Sequence, residues 1–152
     1  MNKSLRKWLV AHDACKSGVD SLLALHITDA RDAYNRAAPE YLIWTVTQDG
    51  VMTQRKCVQF ALFCVRQVAP LLTDDRSRAV IPALEGWLDG SITQGQIVRA
   101  AAYAAYAADA ANAAARAVAY AAYAADAARK QQAEWIRANI PFESLNLEDK
   151  KS

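Results

Sequence analysis

Apolar residues recur at spacings of three and four along most of the chain, and strand-like alternation is confined to the short run Thr45–Thr47. The pattern predicts an all-α protein, a bundle of about five to seven helices with one long C-terminal alanine-rich helix. Residues 4–24 form a first helical segment with Leu5, Trp8, Leu9, His12 and Cys15 on one face, and Gly18 is the expected break within it. Thr28 is placed to cap a short helix through Ala30, Ala33 and Tyr34, which Pro39 should end. Residues 40–48 read as a brief, very apolar helix stopped by Asp49-Gly50. From Thr53 a longer helix carries Val58, Ala61, Leu62, Val65 and Val68, apolar on most sides, as expected of a helix inside a bundle. Thr73-Asp74-Asp75 opens the next helix, and Gly90 follows Trp87-Leu88-Asp89 as its left-handed stop.

Thr93-Gln94-Gly95-Gln96 spells a capping box, flanked by Ile92 and Ile97 as a hydrophobic staple. No glycine or proline occurs between Gln96 and Ile140, and the decapeptide Ala-Tyr-Ala-Ala-Tyr-Ala-Ala-Asp-Ala-Ala stands at both 102–111 and 119–128. That offset fits no solenoid period, so the repeat is a local duplication. One seam of small residues stays in register from Ala104 through Ala108, Ala111, Ala115, Val118, Ala122 and Ala125 to Arg129, Ala133, Ile136 and Ile140. It favours one helix over about 94–139, within a single domain of 1–143 followed by a polar, disordered tail of 144–152. At about 1.5 Å per residue such a helix spans about 65 Å, longer than the roughly 40 Å width of a compact domain of this size. It either projects toward a partner or breaks where periodicity does not show it.

Composition narrows the function classes. Of the 152 residues 53% are hydrophobic, and 18 basic residues against 16 acidic ones leave a net charge of +2 with both signs scattered. No basic arm favours nucleic acid, and no run of about 18 apolar residues favours a membrane. Cys15, Cys57 and Cys64 are an odd set with no close pair, which reads as reduced, mostly buried thiols in a cytoplasmic protein. His12 and Cys15 lie one turn apart, but no second pair completes a zinc site, so neither a metal nor any other cofactor is expected. Asp74 and Asp75 read as partners of a helix dipole, not as an acid–base pair. Arg76 and Arg78 are expected to tie that turn through Asp74, Asp75 or Glu85. Nothing asks for catalysis, and no catalytic residue is assigned.

The tyrosines of the alanine helix are the most suggestive feature. Tyr103, Tyr106, Tyr120 and Tyr123 spread over an arc of about 160° opposite the seam, at about 100° per residue. Asp109 and Arg116 share the arc, with Asn112 at its edge. Tyrosine and arginine over a background of small residues are a protein-binding composition. The competing reading packs these rings on the protein's own helices with their hydroxyls in water.

Asp13-Ala14-Cys15-Lys16-Ser17-Gly18, followed by Pro39-Glu40-Tyr41-Leu42-Ile43-Trp44, resembles an immunity-protein-like helical family of small phage, prophage and bacterial proteins. That family shows an Ala-Cys-x-x-Gly start, a Pro-x-x-Leu-Leu-Trp helix and a Pro-Asp-Asp-x-Arg-Pro-Arg-like turn. A Trp-Leu-x-Gly helix end, an alanine-rich helix and an Ile-Arg-x-x-Ile-Pro-Phe tail complete it. Here the later parts read Thr73-Asp74-Asp75-Arg76-Ser77-Arg78, Trp87-Leu88-Asp89-Gly90 and Trp135-Ile136-Arg137-Ala138-Asn139-Ile140-Pro141-Phe142, with Ser77 in place of the turn proline. The resemblance implies an all-helical, non-enzymatic protein that neutralises another protein. The target would be a toxin or a host defence component such as an anti-phage or CRISPR effector, met in the cytoplasm of the host cell. The alternative is a structural or assembly protein that forms a homo-oligomer through the alanine seam.

Overall fold

The computed structural model describes residues 1–71, 75–93, 95 and 121–147. The protein is all-α, and no strand occurs among the described residues. Even Thr45–Thr47 is helical or closes a helix. The chain divides into two compact units, one made of Met1–Thr53 and Arg129–Ser152, the other of Gln54–Ala128.

The first unit opens with α1 (Lys3–Ala11), whose first turn is capped by Asn2: its Oδ1 accepts the Leu5 N–H at 2.8 Å. The segment expected to break at Gly18 breaks earlier. Asp13 adopts a left-handed φ of 52°, its N–H donating to the Val10 carbonyl while the Ala14 N–H donates to that of Leu9. These two bonds are a Schellman ending, which satisfies carbonyls that a helix end leaves bare. Helix α2 (Lys16–Ala24) ends in the same way around His26, φ 54°, with His26 N–H on Leu23 and Ile27 N–H on Leu22. Gly18 lies buried inside α2, where a Cβ would approach Tyr41 Cε1 to 3.1 Å; it sits in a tight contact and not in a turn.

Helix α3 (Ala30–Arg36) is capped by Asp29, one residue after the expected Thr28. Asp29 Oδ1 accepts the Asp32 N–H at 2.9 Å, and Asp32 Oδ2 accepts the Thr28 N–H at 3.0 Å. Two carboxylates at the positive end of the helix are better acceptors than one hydroxyl. Pro39 starts a helix instead of ending one: α3 stops at Arg36, Ala37 and Ala38 are extended, and Pro39 is the first residue of α4 (Pro39–Val46). Proline forbids the α conformation to its predecessor yet suits the first helical position. Around these helices Leu5, Trp8, Leu9, Leu22, Ile27, Ala37 and Val51 form one buried cluster. Leu145 and Leu147 pack against it, and the Asn146 N–H donates to the Val51 carbonyl at 2.9 Å. The chain as far as Leu147 is therefore part of the fold, where a polar tail from residue 144 was expected.

In the second unit, α5 (Gln54–Val68) leads through a 3-10 turn (Ala69–Leu71) toward α6 (Asp75–Arg78) and α7 (Val80–Asp89). Leu62, Val80 and Leu84 are buried together, with Val58, Val65, Ile81, Trp87, Leu88 and Ile92 packed around them. Helix α5 is not buried on all sides, as a helix inside a bundle would be: Cys57 and Ala61 are exposed. Gly90 ends α7 at φ 85°, as its place after Trp87-Leu88-Asp89 requires. Arg78 lies 3.8 Å from Asp75, while Glu85 pairs with Arg66. Helix α8 (Ala121–Asn139) is the described part of the alanine-rich run. Gln94 and Gln96 of the capping box, and the stretch that would make the run one helix, lie outside the described residues.

Candidate functional site

Of the residues expected to meet a partner, Tyr103, Tyr106, Asp109, Asn112, Arg116 and Tyr120 lie outside the described residues, and Tyr123 belongs to α8 with its side chain outside them. The C-terminal end of that helix, from Arg129 onward, belongs to the first unit. Ala133, Ile136 and Ile140 of the small-residue seam are 1%, 0% and 1% exposed, so the seam is a core-facing stripe here. Arg129, on the same stripe, is exposed.

Three polar side chains lock this end into the first unit. The Tyr34 hydroxyl, buried, donates to the Ile140 carbonyl at 2.6 Å and lies 3.3 Å from that of Ile136. Arg137 returns the contact, Nε donating to the Tyr34 carbonyl at 3.2 Å and Nη2 to that of Ala37 at 3.1 Å. Arg31 pairs with Glu143 at 2.7 Å and stands 4.5 Å above the Phe142 ring, whose edge meets Tyr34. Each helix end thereby supplies bare carbonyls that the other element's side chains satisfy. Burial pushes the Tyr34 phenol above its usual range, against the opposing pull of Arg137. Nothing in the hydrophobic pattern marks Tyr34 for this role, because a lone tyrosine on a short helix reads only as core.

The first unit also holds a cavity of about 260 Å³, lined mainly by apolar side chains including Leu22, Ala33, Tyr41, Trp44 and Leu145. Trp8 forms part of its wall, 3% exposed, stacked on His12 at 4.1 Å and edge-on to Trp44 at 5.8 Å. Trp8 Nε1 is buried with no hydrogen-bond acceptor. An orphaned donor of this kind costs about 1–3 kcal/mol. The wall reaches the surface at Ser4, Asp13 and Cys15, all exposed. Cys15 is the N-cap of α2, with Sγ 3.3 Å from Ser17 Oγ; the Ser17 hydroxyl and then the Gly18 backbone hold its thiol below the usual range.

His12 and Cys15 are thus engaged separately, His12 Nδ1–H donating to the Trp8 carbonyl at 2.9 Å. Among the described residues no three His, Cys, Asp or Glu side chains gather as metal ligands would. All three cysteines are free; Cys57 is exposed and Cys64 half-buried, where mostly buried thiols were expected. No helix among the described residues is long and apolar enough to cross a membrane. No family model, curated protein or solved structure matches the chain.

Proposed function

We propose that the protein is a non-enzymatic, cytoplasmic binding protein that neutralises another protein, a toxin or a component of a host defence system, through the tyrosine arc of its alanine-rich helix. The observation that carries this reading is the burial of Ala133, Ile136 and Ile140. In the described part of α8 these three positions of the seam face inward. On a helical wheel drawn from the sequence, Tyr103, Tyr106, Asp109, Arg116, Tyr120 and Tyr123 centre about 170° away from those three positions, with Asn112 at the margin. Tyrosine and arginine on such a face are the residue types that dominate protein interfaces energetically. Arg137, Tyr34 and the Ile-Pro-Phe segment supply a firm anchor for the C-terminal end.

The test is an affinity capture from bacterial lysate with the wild-type chain and a variant carrying alanine at Tyr103, Tyr106, Tyr120 and Tyr123, followed by titration of the purified captured protein. A target bound by the wild type and weakened at least tenfold by the variant supports the reading. Equal binding by both removes the arc as the interface. A captured species that is only further copies of this chain, released by a bulky residue at Ala111 or Ala115, replaces neutralisation with self-assembly.

A further inference from the structure

We propose that the exposed face of α1 is a docking surface for an acidic segment of a partner protein, one that carries an apolar side chain between its carboxylates. Lys3, Arg6, Lys7 and Val10 fall within an arc of about 100° on this helix, opposite the buried Leu5, Trp8 and Leu9. All four are exposed. Val10, at 73% the most exposed large apolar residue among those described, stands at the centre of the arc with the cations around it. The helix carries no aspartate or glutamate, so its outer face has one sign of charge. Beside it lies a groove of about 280 Å³ lined by Met1, Arg6, Leu9, Val10, Ala14 and Val19, apolar but for the arginine.

Charge and shape together select the occupant. The cations call for an anionic partner by electrostatic complementarity. The exposed valine and the groove call for an apolar group, and apolar surface rimmed by charge marks a protein contact. An acidic protein segment offers both. A nucleic acid would answer the cations with phosphates but cover Val10 with nothing apolar. An anionic membrane would gain little, because Leu5, Trp8 and Leu9 face the core and leave one large apolar residue of α1 for lipid. Arg6 belongs to both the face and the groove, so it is placed to pair a carboxylate beside the seated apolar group. The helix is fixed before binding, capped by Asn2 and closed by the Asp13–Ala14 turn. The inference is independent of the tyrosine arc.

The test titrates the full chain, labelled with nitrogen-15, with the end-blocked peptide Glu-Glu-Ile-Leu-Glu-Glu. Two relatives of the peptide replace either its glutamates by glutamine or its apolar pair by alanine. The parent peptide should bind saturably and shift the backbone signals of Arg6, Val10 and Val19. Each relative should bind at least about fivefold more weakly, one lacking the charge and the other the anchor. Lys3→Glu with Arg6→Glu should weaken the parent peptide at least about tenfold. Arg55→Glu with Lys130→Glu, exposed elsewhere, changes the net charge equally and should weaken it less than about twofold. Should a variant fail to fold, the peptide series on the wild type decides alone. No saturable shift at the three residues, equal binding of either relative, or equal loss from both charge reversals overturns the proposal. So does tighter binding of oligothymidylate or of phosphatidylglycerol vesicles than of the parent peptide.

Discussion

The hydroxyl of Tyr34 donates to the main-chain carbonyl of Ile140 at 2.6 Å across a sequence separation of 106 residues. That bond joins α3 to the end of the alanine-rich helix, and Arg137 answers it from the opposite direction. Tyr34→Phe keeps the ring but leaves the Ile140 carbonyl without this donor, and should cost about 1–3 kcal/mol in urea unfolding. Burial raises the folded-state pKa of this phenol, so the neutral form is the one the fold favours. Its contribution is complete below about pH 10 and is lost as pH rises through the raised value. The alkaline loss of stability should therefore be shallower in the phenylalanine variant.

Arg137 spans two carbonyls with one planar group. Arg137→Ala should lower stability by about 1–3 kcal/mol, because charge-assisted bonds to helix-end carbonyls disappear together. Arg137→Lys should recover less than half of the loss, since an ammonium lacks the fork that reaches both atoms. Full rescue by lysine would reduce the residue to its charge.

Asp13 and His26 hold left-handed backbone angles, φ 52° and 54°, at two matching helix ends. A side chain in that region costs about 1–2 kcal/mol, partly offset by the unfolded-state entropy that glycine adds. Asp13→Gly and His26→Gly should each stabilise the protein by about 0.5–1 kcal/mol in thermal melts. A net loss would mean that the native side chains make up for the strain.

Two glycines should fail differently. Gly90→Ala has open space around the new methyl but the wrong backbone angle, and should cost about 1 kcal/mol. Gly18→Ala gains helix propensity of about 1 kcal/mol while pressing on Tyr41 Cε1, and should be close to neutral. Gly18→Val adds bulk the Tyr41 ring has no room for, and should cost about 2 kcal/mol or more. Chemical denaturation of the three variants separates the two causes.

The thiols should react in the order Cys15, Cys57, Cys64. Ser17 and the Gly18 backbone favour the Cys15 thiolate, desolvation nudges Cys57 upward, and burial pushes Cys64 up to about 11. Brief iodoacetamide treatment near neutral pH should label Cys15 first, as read by peptide mass spectrometry. Ser17→Ala should slow that labelling without altering the order of the other two.

The all-α class was legible in the amino-acid pattern, because periodicity and helix stops are local properties of neighbouring residues. Gly90 is left-handed where the pattern required it, and Ala133, Ile136 and Ile140 are buried as their seam implied. Tertiary structure decided what depends on distant partners. Gly18 reads as a helix breaker until Tyr41, on another helix, is found against it. The real break at Asp13 rests on a backbone angle that no periodicity encodes. Tyr34 and Arg137 meet only because α3 and the end of α8 pack together, and the cavity beside Trp8 exists only between helices already assembled. A helical stripe says which side of a helix turns inward; which residues it meets there is settled by packing, and so is the room that packing leaves.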